Sequence, residues 1–228
     1  MDSAKEAFSI RISEVEDFIA FVRKLQSRGA IAKLGFAKHN ECIPMLKACI
    51  FLLMYNAIES CVRLAFADIY GHVKLSNTSF SSVSPELRKI WVMQQLDAQV
   101  KPTSANRDTY LGAVESIAGL VAMSGALELN PRSLPISGNL DADQIQKLCK
   151  KHGVVLKTSA WAKGGVELET IKSKRNALAH GHISFVECGR EYGLDDLSRM
   201  LRQSKHFMLG LLASVEKFTA TAAYKVIV

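Results

Sequence analysis

The stretch ACIFLLMYNAI, Ala48 to Ile58, is the most apolar in the chain and is closed off by Lys47 and Glu59. A helix of that length rises about 1.5 Å per residue and falls short of the ~30 Å of hydrocarbon in a bilayer. It is therefore expected to be a buried core helix on which the rest of the chain packs. A chain of 228 residues can bury a substantial core without help from disulfides or metal. Its five cysteines are odd in number and form no CxxC pair, which predicts reduced thiols. The opening MDSAKEAFSIRISEVEDFIAF lacks the basic and then apolar pattern of a secretory signal. The expectation is a cytoplasmic protein with no membrane partner.

Helical periodicity dominates the rest. Apolar residues recur through Phe18, Val22 and Leu25 and again from Ile43 through Phe66, predicting two helices broken near GAIAKLG and packed as an antiparallel pair. Ser84 and Pro85 supply an N-cap and a first helical residue. A further helix is predicted over about 109–123. Two prolines and a glycine then make 124–140 rich in loop. NLDADQIQKLCKKHG reads as a short helix capped by Asp141 and terminated by Gly153, and GVELETIKSKRNALAHG as another. HISFVECGREYG, with GVVLK as a second candidate, carries the little extended signal there is, and a long helix from about Asp195 to Ala223 closes the chain. These features predict one mainly all-α domain over 1–228, a helical bundle with a short extended segment after the 166–180 helix.

KSKRNALAHGHISF, residues 172–185, carries the polar groups of interest. On a helix Lys172, Asn176 and His180 stack on one stripe, whereas Arg175 points about 140° away from His180. Leu168, Ile171 and Leu178 make the apolar stripe that runs through position 175, so Arg175 leans toward the core and requires an acceptor. His180 falls in the last turn, with Gly181 placed to take the left-handed cap. A histidine there is a candidate for proton transfer, and equally a plain cap for helix carbonyls. Glu59 interrupts the most apolar helix, with Asn56 and Arg63 at helical spacing; either it pairs with Arg63 or it reaches Arg175 as a buried bridge. His182 begins the exposed segment or contacts a ligand. SRMLRQSKHF is either a phosphate-contacting helix face or a solvated one. The net charge of +7 would attract polyanions. No phosphate-binding glycine loop, HExxH, GxSxG or paired CxxC occurs, and LCKKHG is poor as a zinc site.

KSKRNALAHG resembles the Arg-Asn-x-x-x-His signature of HEPN domains, many of which are metal-independent ribonucleases. LLMYNAIESCVRLAF, SGNLDADQIQKLCKKHGV and IKSKRNALAHGHISFVECGREYGLDDL are similar, in that order, to the toxin-like HEPN nucleases of the MAE type. The resemblance implies a homodimeric endoribonuclease, the toxin of a toxin–antitoxin or phage-defence system, with RNA as substrate and a cognate antitoxin protein as partner. It needs no cofactor and no metal. Carried over by position, His180 is the general acid or base, Arg175 holds the phosphate and Asn176 positions either one, with Lys172, His182 and Glu59 in support. The alternative is a HEPN-like module that binds nucleotide, RNA or protein without cutting.

Overall fold

The computed structural model describes residues 2–27, 39–100, 106–123, 125–136 and 138–226. Within them lie α1 (Asp2–Ser27), α2 (His39–Leu75), α3 (Pro85–Gln99), α4 (Arg107–Ala122), α5 (Ala142–His152), α6 (Val166–Ala179), α7 (Phe185–Arg190) and α8 (Leu194–Ala220). Among the described residues there is no strand, only isolated bridges of Ser79 with Ala126 and Val83 with Lys225, so the class is all-α. The break expected near 29–35 falls outside the described residues. The loop expected near 124–140 is present, interrupted by a single 3-10 turn at Pro131–Ser133.

The extended segment expected over 182–193 is a helix instead. Ser184 accepts from the Glu187 amide at 3.2 Å while Glu187 accepts from the Ser184 amide at 3.0 Å, a reciprocal cap that starts α7. Nor is GVVLK a strand; residues 154–159 are irregular. The most apolar helix also differs in length. It continues to Leu75, and the 41–75 portion is long and apolar enough to cross a membrane, with 56% of its most apolar window buried inside the fold. Burial, not shortness, marks its apolar face as core.

The chain divides into two units. The first comprises Met1–Val62, Ile136–Ile145 and Lys157–Leu212. In it Phe8, Ile12, Val15, Ile19 and Val22 of α1 are buried at alternating spacings of four and three, the seam a helix needs to lie along a near-parallel neighbour. That neighbour is α8. Glu16 accepts from Lys205 at 2.8 Å and Arg23 donates to Asp195 at 2.9 Å, so residue numbers rise on α1 as they fall on α8 and the two run antiparallel. Ile50, Phe51 and Met54 of α2, Leu168 and Ile171 of α6, and Leu197, Phe207 and Met208 of α8 fill this core.

The second unit comprises Arg63–Pro135, Gln146–Leu156 and Ala213–Val228. Phe66 and Ile69 of α2, Leu87 and Trp91 of α3, and Val215 of α8 are buried in it. Ser84 caps α3 by accepting from the Leu87 amide, with Pro85 as first helical residue, as expected from sequence. The Ser84 amide in turn donates to the Tyr224 carbonyl at 2.8 Å, fastening the end of the chain.

Candidate active site

The KSKRNALAHG stretch lies on α6. Leu168, Ile171 and Leu178 are buried and fix which face turns inward. At its far end Gly181 adopts φ +70°; its amide donates to Leu178 at 3.3 Å and the His182 amide to Ala177 at 2.9 Å. This paired closure needs left-handed backbone at one position, which glycine takes without Cβ strain. His180 is the capping residue, and its side chain is exposed at the helix end beside that of His182, ring centroids 5.9 Å apart. Neither imidazole has a hydrogen-bond partner among the described residues. His182 also lines a cavity of about 610 Å³ with Met45, Leu178 and Phe185.

Arg175 leans inward as its place on the apolar stripe requires. Its Nη1 donates to Asn176 Oδ1 at 2.8 Å and to the Gly138 carbonyl at 3.4 Å, and its guanidinium carbon stands 4.5 Å from the centre of the Tyr55 ring. A cation over an aromatic face inside a half-buried pocket is held by the ring's quadrupole as well as by the acceptors. Nε and Nη2 have no hydrogen-bond partner among the described residues, so the outer edge of the guanidinium keeps donors to spare.

The acceptor lies in residues 138–141, and these are gripped in sequence. Arg175 takes the carbonyl of Gly138, Asn176 Nδ2 donates to Asn139 Oδ1 at 2.8 Å, the Leu140 amide donates to the Tyr55 hydroxyl at 3.1 Å, and Lys172 Nζ donates to Asp141 Oδ2 at 2.7 Å. Gly138 sits at φ +76°, and a Cβ there would come within 3.4 Å of Arg175 Nη1. Lys172 also donates to Glu169 at 2.7 Å; these carboxylates hold its ammonium pKa above the usual value, against some desolvation. Asp141 is partly desolvated, which favours the neutral acid, yet the Gln144 amide that it caps and the Lys172 ammonium hold its pKa below the ordinary value. Lys172 is thus a clamp between α6 and the start of α5, turned to carboxylates.

Glu59 does not bridge to Arg175, which has no carboxylate partner among the described residues. The connection runs through Tyr55, whose hydroxyl hydrogen-bonds Glu59. Burial first, and then the Glu59 carboxylate, push the Tyr55 hydroxyl pKa up, while the Leu140 amide and the Arg175 charge pull the other way. A direct pair is replaced by a tyrosine that offers its hydroxyl to the acid and its face to the cation. Tyr55, Gly138, Asn139 and Leu140 are the positions that sequence reasoning missed. The Gly138-Asn139 pair is a turn signal, but nothing in it names its guest.

Within one chain Arg175 and His180 are not brought into contact, in keeping with their divergence around α6. The described residues contain no group of three or more His, Cys, Asp or Glu placed to hold a metal. No curated protein and no solved structure matches the chain. The family model of the MAE-like HEPN domains matches residues 2–224, nearly the whole length. Together with the helix that carries Arg175, Asn176 and His180, this places the chain in the MAE-type HEPN family.

Proposed function

We propose that the protein is an endoribonuclease that cuts RNA without a metal, working as a homodimer in the cytoplasm as the toxin of a toxin–antitoxin or phage-defence pair. One observation carries the reading: Arg175 makes its hydrogen bonds through Nη1, leaving Nε and Nη2 to grip a phosphate, while five residues further on His180 is exposed with neither ring nitrogen hydrogen-bonded among the described residues. In the reaction the ribose 2′-oxygen forms a bond to the adjacent phosphorus as the bond to the 5′-oxygen breaks. His180 takes the 2′-hydroxyl proton, an imidazolium returns one to the leaving 5′-oxygen, and the products are a 2′,3′-cyclic phosphate and a 5′-hydroxyl. Arg175 meets the charge that builds on the phosphate oxygens, and Asn176 keeps the guanidinium aimed. The nucleophile is tethered to its target, so positioning supplies much of the rate.

Since the two side chains diverge on α6, the site is completed across a two-fold axis by a second copy. The test is cleavage of RNA in EDTA by wild type, by Arg175→Ala, by His180→Ala and by an equimolar mixture of the two variants. Each variant alone is expected to be inactive with its fold intact, and the mixture to regain activity because a mixed dimer holds one whole site. Undiminished cutting by His180→Ala sinks the assignment. RNA binding without cutting by wild type establishes the non-catalytic alternative.

A further inference from the structure

A second feature of the first unit lies outside this site. Trp161 is 71% exposed, whereas the chain's other tryptophan, Trp91, is 7% exposed. It stands in a 3-10 turn, Ala160–Gly165, that ends in left-handed backbone at Lys163 (φ 48°), Gly164 (φ 68°) and Gly165 (φ 82°). The turn is seated firmly on α8. Ala162 is fully buried, and a Cβ on Gly165 would come within 2.7 Å of the Phe207 ring. Tight seating of the chain just after the indole, with Ala160 before it exposed, presents the ring to solvent and denies it a place in the core. Leaving that much aromatic surface wet forfeits burial free energy and offers a flat ring for contact.

The surroundings say what kind. The Trp161 ring lies within 28° of parallel to that of His206 on α8, centroids 6.3 Å apart. His206, with Arg202 and Lys205 of α8 and Glu16 and Ile19 of α1, lines a groove of about 510 Å³. Lys163, beside the indole, is exposed, as is Arg202. Glu16 is the acid in this groove, and it is neutralised by Lys205 at 2.8 Å. A flat aromatic face flanked by cations is how single strands are held without regard to sequence: bases stack on the ring and the charges follow the phosphates.

We propose that the α1–α8 groove, with Trp161 beside it, is a subsite for single-stranded RNA, one base stacking on the indole and the backbone phosphates meeting Arg202 and Lys163. The proposal rests on the ribonuclease reading and adds where the substrate is held apart from the bond that is cut. It is tested by fluorescence anisotropy with a labelled 2′-O-methyl oligouridylate about eight nucleotides long, within the span such grooves cover. Blocking the 2′-oxygen makes this probe uncuttable, so binding is read independently of cleavage. Trp161→Ala is expected to weaken binding roughly tenfold, the loss for one stacked base. Trp161→Phe, which keeps a ring, is expected to stay within about threefold of wild type. Arg202→Ala is expected to lower the slope of log affinity against log salt by about 0.7, one single-strand phosphate contact. With a cuttable RNA, Trp161→Ala is expected to raise KM and leave kcat near wild type. Equal binding and equal KM in wild type and Trp161→Ala overturn the subsite even if His180→Ala abolishes cutting. Conversely, loss of probe binding in Trp161→Ala, with no cleavage by wild type, upholds the subsite and overturns the nuclease reading. A wild type that does not bind the probe overturns the subsite.

Discussion

His152, at the end of α5, offers a prediction whose size follows from its surroundings. Its ring is fully buried, Nδ1 donating to the Leu148 carbonyl at 2.8 Å and Nε2 accepting from the Tyr70 hydroxyl at 2.9 Å, with the Phe66 ring centre 4.5 Å away. That arrangement uses the neutral imidazole. Burial, the main cause, holds its pKa down to about 4; the Lys151 charge adds to this and the Leu148 carbonyl opposes it. In an unfolded chain the same side chain titrates near 6.5, so between the two values the unfolded chain binds a proton that the folded one refuses. The stabilisation is complete above about pH 6.5 and is lost as pH falls to about 4; at ~1.36 kcal/mol per pH unit this is roughly 3 kcal/mol. The perturbation is His152→Phe, which keeps a ring against Phe66 but cannot titrate. At about pH 7 the variant is expected to be less stable by about 1–3 kcal/mol, because Tyr70 and Leu148 lose a partner. Urea unfolding followed by circular dichroism then compares both proteins at about pH 7 and about pH 4.5, where the wild type should lose roughly 2–3 kcal/mol more than the variant. Parallel losses would refute the argument that this histidine is held neutral.

Two further substitutions test close contacts. Gly138→Ala puts a Cβ on backbone at φ +76° and 3.4 Å from Arg175 Nη1; it is expected to cost about 1–2 kcal/mol in thermal unfolding and to slow RNA cleavage by about tenfold or more. Wild-type kinetics in that variant would mean the loop does not aim the arginine. Gly189→Ala puts a Cβ 1.8 Å from the Pro44 carbonyl oxygen, backbone against backbone, and should cost about 3 kcal/mol or more as α7 is pushed off α2. An unchanged melting temperature contradicts that approach.

Helix ends were the most legible part of the sequence because their signals are local. Ser84 with Pro85, Asp141 and Gly181 each do what their chemistry announces. The error at α7 has a local remedy too. HISFVE looks extended from its β-branched and aromatic residues, yet Ser184 and Glu187 stand three apart, and the cap they form outweighs that weak preference. The site was legible only in part. That Arg175 must lean inward follows from its neighbours on α6. Its acceptor at Gly138 and the ring of Tyr55 come from segments 37 and 120 positions away, since 175 less 138 and 175 less 55 give those separations. No spacing rule joins such residues; only packing does. Glu59 is different: it stands four residues after Tyr55 on α2, so its hydrogen bond to that hydroxyl obeys helical spacing, and only the ring's place against the arginine depends on packing.

The arginine is tied to a main-chain oxygen at 138, and the next amide but one is tied to Tyr55, so at these two points the chain's path sets the guanidinium's direction, not the chemistry of neighbouring side chains. Conservative side-chain drift at 140, unlike a side chain at 138, therefore leaves the aim intact, whereas one residue inserted between 138 and 141 would put the fastenings before it out of step with those after it. A ligand or inhibitor that dragged this short segment by an ångström would unaim the arginine without touching it.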